Sequence, residues 1–415
     1  MEKLTFTIDG YSFSTAFNTA AKREQCAEKI LSTTGRHYSW YKENTGNKNW
    51  ILYDTEQYEV RNFDDIKYLV LNNRLMDVKT FLCVRRDFKG KLHLPINAST
   101  CSFMFVDSNV PEIDLTEFDT TNVVDMDYMF LEANLGDCLS LVSSTITQAN
   151  TPDRNILTLN TEGVISMSGM FKDCKVKHLD LRNLRTDNVT DFSDMFCSCN
   201  DLIDLNVDGF DTSKAKDFHG MFQGCIKLTQ LNVKHFNVDN VLHMSCLFSR
   251  CLRLKVINLE SWDFSQVSDA NEMFAYCEKL EKIIANFNFK MIKEMAFMFC
   301  YCTKLSKVDL SHSDLSHVFD FGYAFFKCEG LKEIRFSPGV WRKAKYTLSM
   351  FDNCKALERL NLPDVVLDDV VRSYAMFDDC DSLKEIYMEH PLNLEKYAHG
   401  LIFGNCKAEV KKSTE

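Results

Sequence analysis

The sequence predicts an α/β solenoid of stacked 25–26-residue units, each holding one short parallel strand and one short helical turn. Three observations predict it. Ten cysteines, Cys174, Cys199, Cys225, Cys251, Cys277, Cys302, Cys328, Cys354, Cys380 and Cys406, follow one another at steps of 25 or 26 residues. Three residues before each stands a phenylalanine: Phe171, Phe196, Phe222, Phe248, Phe274, Phe299, Phe325, Phe351, Phe377 and Phe403. An alternating apolar pair follows six and eight residues after the cysteine, as in Leu205/Val207 and Leu231/Val233. A period of this length marks an array whose units bury their apolar faces only against their neighbours.

Composition sets the outer bounds. With 415 residues, 45% apolar and 26% charged, the chain has an ordinary globular balance and enough apolar surface for a large core. No run of 18 apolar residues occurs, so no membrane helix is expected. The opening MEKLTFTIDGYSFSTAF has no basic region ahead of an apolar run, so no secretory signal is expected. These two readings point to a cytoplasmic protein.

The elements follow in chain order. Residues 1–80 carry no repeat and read as a small α/β unit, either a cap for the first repeat or a separate binding domain. Leu4–Ile8 alternates and reads as a strand, and Asn18 or Thr19 can cap a helix running to Leu31. Tyr38–Tyr41 and Trp50–Tyr53 flank a polar turn at Asn44–Lys48, a hairpin pattern. Asp64 opens a second apolar stretch, Ile66–Leu71. Residues 81–101 read as a half-repeat junction, and residues 102–407 as the solenoid of about twelve units. Its two earliest units, at Met104-Phe105 and Met129-Phe130, lack the cysteine. Phe130 and Phe171 lie 41 residues apart, so a surplus within 136–155 reads as a surface loop. Residues 408–415 read as a C-terminal tail.

Within a unit, Leu205-Asn206-Val207 has the period of a strand. Met-Phe-x-x-Cys-x-x-Leu, as at Met221–Leu228, places apolar residues at i, i+1, i+4 and i+7, which suits one or two turns of helix. Stacking makes one column of Phe and another of Cys. Met221-Phe222-Gln223-Gly224-Cys225-Ile226-Lys227-Leu228, preceded by Phe210-Asp211-Thr212-Ser213, resembles a unit of the BspA-like leucine-rich-repeat proteins, as does Phe118–Val123. That resemblance covers about three quarters of the chain. It implies a leucine-rich-repeat-like solenoid and a protein-binding or adhesive role, many family members being secreted or held at the cell surface.

Little in the sequence points to chemistry. Cys197/Cys199 and Cys300/Cys302 are C-x-C pairs, but four units, about 19 Å, separate them, too far for one tetrahedral metal site. Stacked neighbours would be close enough for disulfides, yet ten thiols in one column allow many competing pairings, so reduced burial in a reducing compartment is the economical reading. On it, the ladder cysteines are core and the extra Cys197 and Cys300 lie near the surface. His312 and His317 read as surface residues, and no phosphate loop, dinucleotide motif or nucleophile elbow is present. Cys26 lacks any base that the sequence could assign to it. No enzyme activity, cofactor or metal is expected.

Charge points to the face where binding is expected. Residues 1–100 hold 15 Lys/Arg and 12 Asp/Glu, which leaves 33 and 47 of the totals 48 and 59 for the rest, a net of −14. Such a balance argues against nucleic acid and anionic membrane as partners. The outward strand positions are Asp180, Asp204, Asn206, Asp208, Asn232, Asn258 and Glu260 in the early units, and Lys282, Ile284, Lys307, Arg335, Arg359 and Tyr387 in the later ones. This face therefore reads as acidic at one end and basic at the other, and as a protein-binding surface. The expected function is non-enzymatic protein recognition. Its alternatives are a surface or virion protein binding a host receptor, and an intracellular inhibitor of a host or competitor protein in a phage–bacterium conflict.

Overall fold

A computed structural model describes residues 4–8, 11–15, 29, 32, 38–42, 50–54, 90–91, 100–114, 120–142, 156–362, 374–388 and 402–412. Strands β1 (Leu4–Ile8) and β2 (Tyr11–Thr15) form an antiparallel hairpin. A second hairpin joins β3 (Tyr38–Lys42) to β4 (Trp50–Asp54), with Tyr38 opposite Asp54 and Lys42 opposite Trp50. Of the helix expected up to Leu31, only Lys29 is described, and it is helical, as is Ser32 just beyond. The stretch Ile66–Leu71 lies outside the described residues. Parallel pairing begins with β5 (Gly90–Lys91) against β6 (Ile113–Asp114).

From there the chain is a solenoid of parallel strands, one in most units; the unit of Leu231–Val233 has none, and the unit between Phe130 and Phe171 has two. β7 (Cys138–Val142) pairs in parallel with β8 (Ile156–Thr158) on one side and β9 (His178–Asn183) on the other, and β9 pairs with β10 (Asp204–Asn206). After it come the parallel pairs of β11 (Val256–Leu259) with β12 (Lys282–Ala285) and β13 (Lys307–Leu310) with β14 (Glu333–Phe336). The last sheet orders β15 (Arg359–Leu362), β16 (Glu385–Met388) and β17 (Glu409–Lys412). Most registers place a residue beside its counterpart one repeat away, Asn206 beside Asp180 and Asn361 beside Tyr387, whereas β8 pairs within its own unit, Ser140 beside Ile156.

Two boundaries differ from the expectation. The loop expected over 136–155 begins later, because Cys138–Val142 is a sheet strand. Ala133 occupies the cysteine place of that unit, and Leu139 and Leu141 follow it at six and eight residues, as Leu205 and Val207 follow Cys199. Residues 143–155 lie outside the described residues. The expected tail contributes β17, which continues the sheet in register, Ile386 beside Val410.

The core is the predicted pair of columns. Phe105 and Phe130 precede the ten predicted rings, and all twelve stack unit on unit, with centroids 5.2–5.7 Å apart and planes within 30° of parallel. Phe130 stacks directly on Phe171, so the inserted residues leave the column unbroken. All ten ladder cysteines are buried and free. Their thiols also make a bond that the sequence pattern left open. Cys225 Sγ donates to Phe196 O at 3.2 Å and Cys251 Sγ to Phe222 O at 3.2 Å, and the same contact recurs from Cys174 through Cys380. A small apolar residue with one weak donor suits this place, which explains cysteine where alanine would pack. Buried threonines do the same at the opposite corner: Thr161, Thr186 and Thr212 donate to the carbonyls of Arg185, Asp211 and Asn237 in the next unit.

Outside the last unit, where Ile402 and Phe403 are helical, the Met-Phe-x-x-Cys segment is not a helical turn. It consists of two successive β-turns, each with a left-handed third residue, as a type II turn requires. In one unit, Leu247 N bonds Met244 O across Cys246 (φ 57°), and Cys251 N bonds Phe248 O across Arg250 (φ 61°). The helix is lost to hydrogen bonds between units: Cys246, Phe248 and Arg250 donate to Asn271, Met273 and Ala275 at 2.7–2.9 Å. A helix would have satisfied those donors within its own unit and left nothing to hold the next. Left-handed conformation costs about 1–2 kcal/mol at a non-glycine residue. Eleven units carry the pair at the same two positions, from Phe103 and Asp107 to Ala375 and Asp379.

Candidate functional site

The outward columns of the sheet carry the residues expected to bind. Position by position, however, they are paired with one another. Asp180 accepts from Arg182 through both carboxylate oxygens, and this holds its carboxyl below the usual range. His178 Nδ1 lies 2.7 Å from Asp204. Asp208 accepts from Asn232 Nδ2 at 2.8 Å, and Glu260 pairs with Lys234 at 2.9 Å. In the later units Lys307 and Arg335 share Glu333, Arg335 also approaches Asp309, and Arg359 and Lys411 share Glu385. Tyr387 donates its hydroxyl to the same Glu385. Asn206 and Asn258 accept from the backbone of Asp208 and Glu260 and so shape the strand ends. Lys282 is exposed, and Ile284 is half-buried beside Asn258.

The acid-to-base gradient expected along this face is therefore absent in the later half. Its basic residues alternate with Glu333, Glu385 and Asp309, which lie in the same or the adjacent column. The usual separation of partners is one repeat: Asp201 with Lys227, Glu329 with Lys355, Glu358 with Lys384. In this fold that separation plays the part that four residues play on a helix. Each such exposed pair contributes about 0–1 kcal/mol, so the lattice holds register more than it adds stability.

The opposite wall, made by the turns, carries a group that the sequence reading missed. Arg250, Tyr276, Tyr301 and Lys327 occupy the same left-handed position in four consecutive units. Tyr276 and Tyr301 stack with centroids 4.8 Å apart, the Arg250 guanidinium sits 4.7 Å from the Tyr276 ring centroid, and Lys327 Nζ lies 4.8 Å from that of Tyr301. Phe297 and Tyr323 form a second stack at 4.8 Å, and Phe326 stands edge-on to both Tyr301 and Tyr323. All five rings are half-buried. They are the x residues around Met-Phe, which a helix would have spread over several faces. Their recurrence one unit apart was the available signal.

The remaining sequence candidates fall out as follows. Cys197 and Cys300 are buried, against the surface position expected. Burial pushes the Cys300 thiol up to about 12. His312 and His317 are exposed. Among the described residues, no group of three or more His, Cys, Asp or Glu could hold a metal ion, and no helix is long and apolar enough to cross a membrane.

Comparison with known proteins gives the following. A family model described as "Mycoplasma protein of unknown function, DUF285" matches residues 96–137, 139–228, 165–282, 200–308, 243–358 and 277–390. No curated protein matches the chain. Among solved structures, a leucine-rich repeat protein from Eubacterium ventriosum ATCC 27560 is similar at 13% identity and TM-score 0.36, over 70% of this chain and 76% of that one. A leucine rich cell surface protein from Faecalibacterium prausnitzii A2-165 shares 15% identity at TM-score 0.26, over 68% and 89%. The TLR13 chain of a TLR13–ssRNA13 complex shares 15% identity at TM-score 0.26, over 73% of this chain and 54% of its own length.

Proposed function

We propose that this chain, which belongs to the DUF285 family, is a non-enzymatic scaffold for protein recognition, related to the BspA-like leucine-rich-repeat proteins. One observation carries the reading: the columns inside the solenoid are uniform and the columns outside it are not. Phe stacks on Phe and Cys follows Cys, while the central outward column runs Asp180, Asn206, Asn258, Ile284, Asp309, Arg335, Asn361, Tyr387 and Lys411 along the strands. Uniform internal columns make a rigid frame of roughly 4.8 Å pitch. Varied external ones give that frame an address, which is how stacked repeats present an extended binding surface. The donated thiol hydrogens support a reducing compartment as the working location.

The test is affinity capture with the immobilised full chain, followed by reconstitution of the captured pair from purified components. The reading expects a one-to-one or higher-order complex with a protein, formed without turnover of any small molecule. Charge reversal of Asp180, Asp204 and Asp208 together tests the sheet face. A stoichiometric complex indifferent to all three changes moves the site off the sheet. Failure of any purified protein to form a complex removes the reading.

A further inference from the structure

The aromatic group on the turn wall occupies backbone that ought to exclude it. Tyr276, Phe297, Tyr301 and Tyr323 have φ between 57° and 61°, where a bulky side chain is disfavoured. The equivalent positions of other units hold Gly169, Gly220 and Gly224, or the short polar Asp173 and Asn353. The fold therefore accepts small residues at these places, and the rings are not required by it. They sit together in consecutive units, half-buried, with a cation at each end of one stack. Among the described residues Arg250 and Lys327 make no ion pair, whereas Lys307, Arg335 and Arg359 on the sheet are all paired. A guanidinium held over a ring face and paired with no carboxylate has N–H donors to offer one.

We propose that Arg250, Tyr276, Tyr301 and Lys327, with Phe326 beside them, form a docking site for an extended protein segment carrying two carboxylates that flank an apolar side chain. The proposal rests on the scaffold reading above, and it names the surface and the class of partner. Geometry sets the spacing. Arg250 and Lys327 are three units apart, about 14 Å at 4.8 Å per unit. An extended chain advances about 3.3 Å per residue, so residues i and i+4 of a strand reach both cations. Residues i, i+2 and i+4 point to one side of a strand, which sets an apolar side chain at i+2 against the tyrosine stack. Half-buried tyrosine beside arginine is also the composition of binding hot spots. A basic segment is disfavoured here by the two cations.

The experiment selects a display library of random peptides against the full chain, then measures affinities by fluorescence anisotropy. Three variants are compared, each checked for native circular dichroism: Tyr276→Gly with Tyr301→Gly, Arg250→Ala with Lys327→Ala, and Asp239→Lys at an exposed turn outside both the aromatic group and the outward strand columns. Glycine suits a left-handed position, so the first variant keeps its fold. The proposal expects enriched peptides with the pattern acid-x-apolar-x-acid, at least tenfold weaker binding to the first two variants and unchanged binding to the third. Peptides without the paired acids, or peptides that bind the first two variants as well as wild type, overturn this site and leave the recognition reading standing. Enrichment of no peptide overturns the site and counts against that reading too.

Discussion

Mild alkali should unfold the solenoid, because its ladder thiols cannot ionise in place. Burial raises the pKa of all ten above the ordinary 9.0, with Cys251 pushed up to about 12. When the folded pKa of an acid lies above its unfolded one, its contribution to stability is intact below the unfolded value. It is lost as the pH climbs from there towards the folded value, since the unfolded chain releases a proton that the folded chain retains. For one thiol the loss approaches about 1.4 kcal/mol per pH unit above the unfolded pKa. At about pH 10 the nine strongly shifted thiols, Cys406 apart, together withdraw about 13 kcal/mol, comparable with the 5–15 kcal/mol that holds an ordinary domain folded. Urea midpoints followed by circular dichroism between about pH 8 and about pH 10.5 measure the effect through the linkage slope. Its steepest part should approach about nine protons released on unfolding, and Cys251→Ala should reduce it by about one. Stability that stays flat across that range, or thiolate absorbance that rises while the dichroism stays native, would refute the buried ladder.

Four further outcomes are expected. Phe222→Ala should destabilise the protein by about 3–5 kcal/mol, since the ring is wholly buried between Phe196 and Phe248, and the midpoint of denaturation reports it. Thr186→Val should cost about 1 kcal/mol through the lost bond to Asp211 O, read in the same assay. Thiol-reactive dye should label few cysteines in native buffer and many more in denaturant, and rapid native labelling of the ladder would contradict its burial. Glu385→Gln should lower the midpoint slightly and should lose that effect in high salt, because its partners Arg359 and Lys411 lie on the solvent side of the sheet.

The order of units, the core columns and the strand of each repeat were legible in the sequence, because a solenoid puts the same residue in the same surroundings at every turn. Phe171 and Phe222 need the same neighbours, so selection of one packing solution writes a period into the chain. The insertion was legible only as a surplus of length. Its limits were hidden because Ala133 replaces the cysteine that marked every later unit. The helical turn was misread for a physical reason: apolar residues at i, i+1, i+4 and i+7 fit a helix and a tandem turn equally well. What separates them is the left-handed backbone at Cys246 and Arg250, to which side-chain type gives no clue when the stabilising bonds come from the next unit. The face suffered most. Listing outward residues by sign produced a gradient, but whether Lys307 is a free charge or half of a pair depends on Glu333, one repeat away. Likewise Tyr276 and Tyr301 became a surface only when stacking set them 4.8 Å apart. Local pattern determines what each unit buries. Juxtaposition across the repeat decides what the assembled wall presents, and that depends on contacts between residues some 26 positions apart.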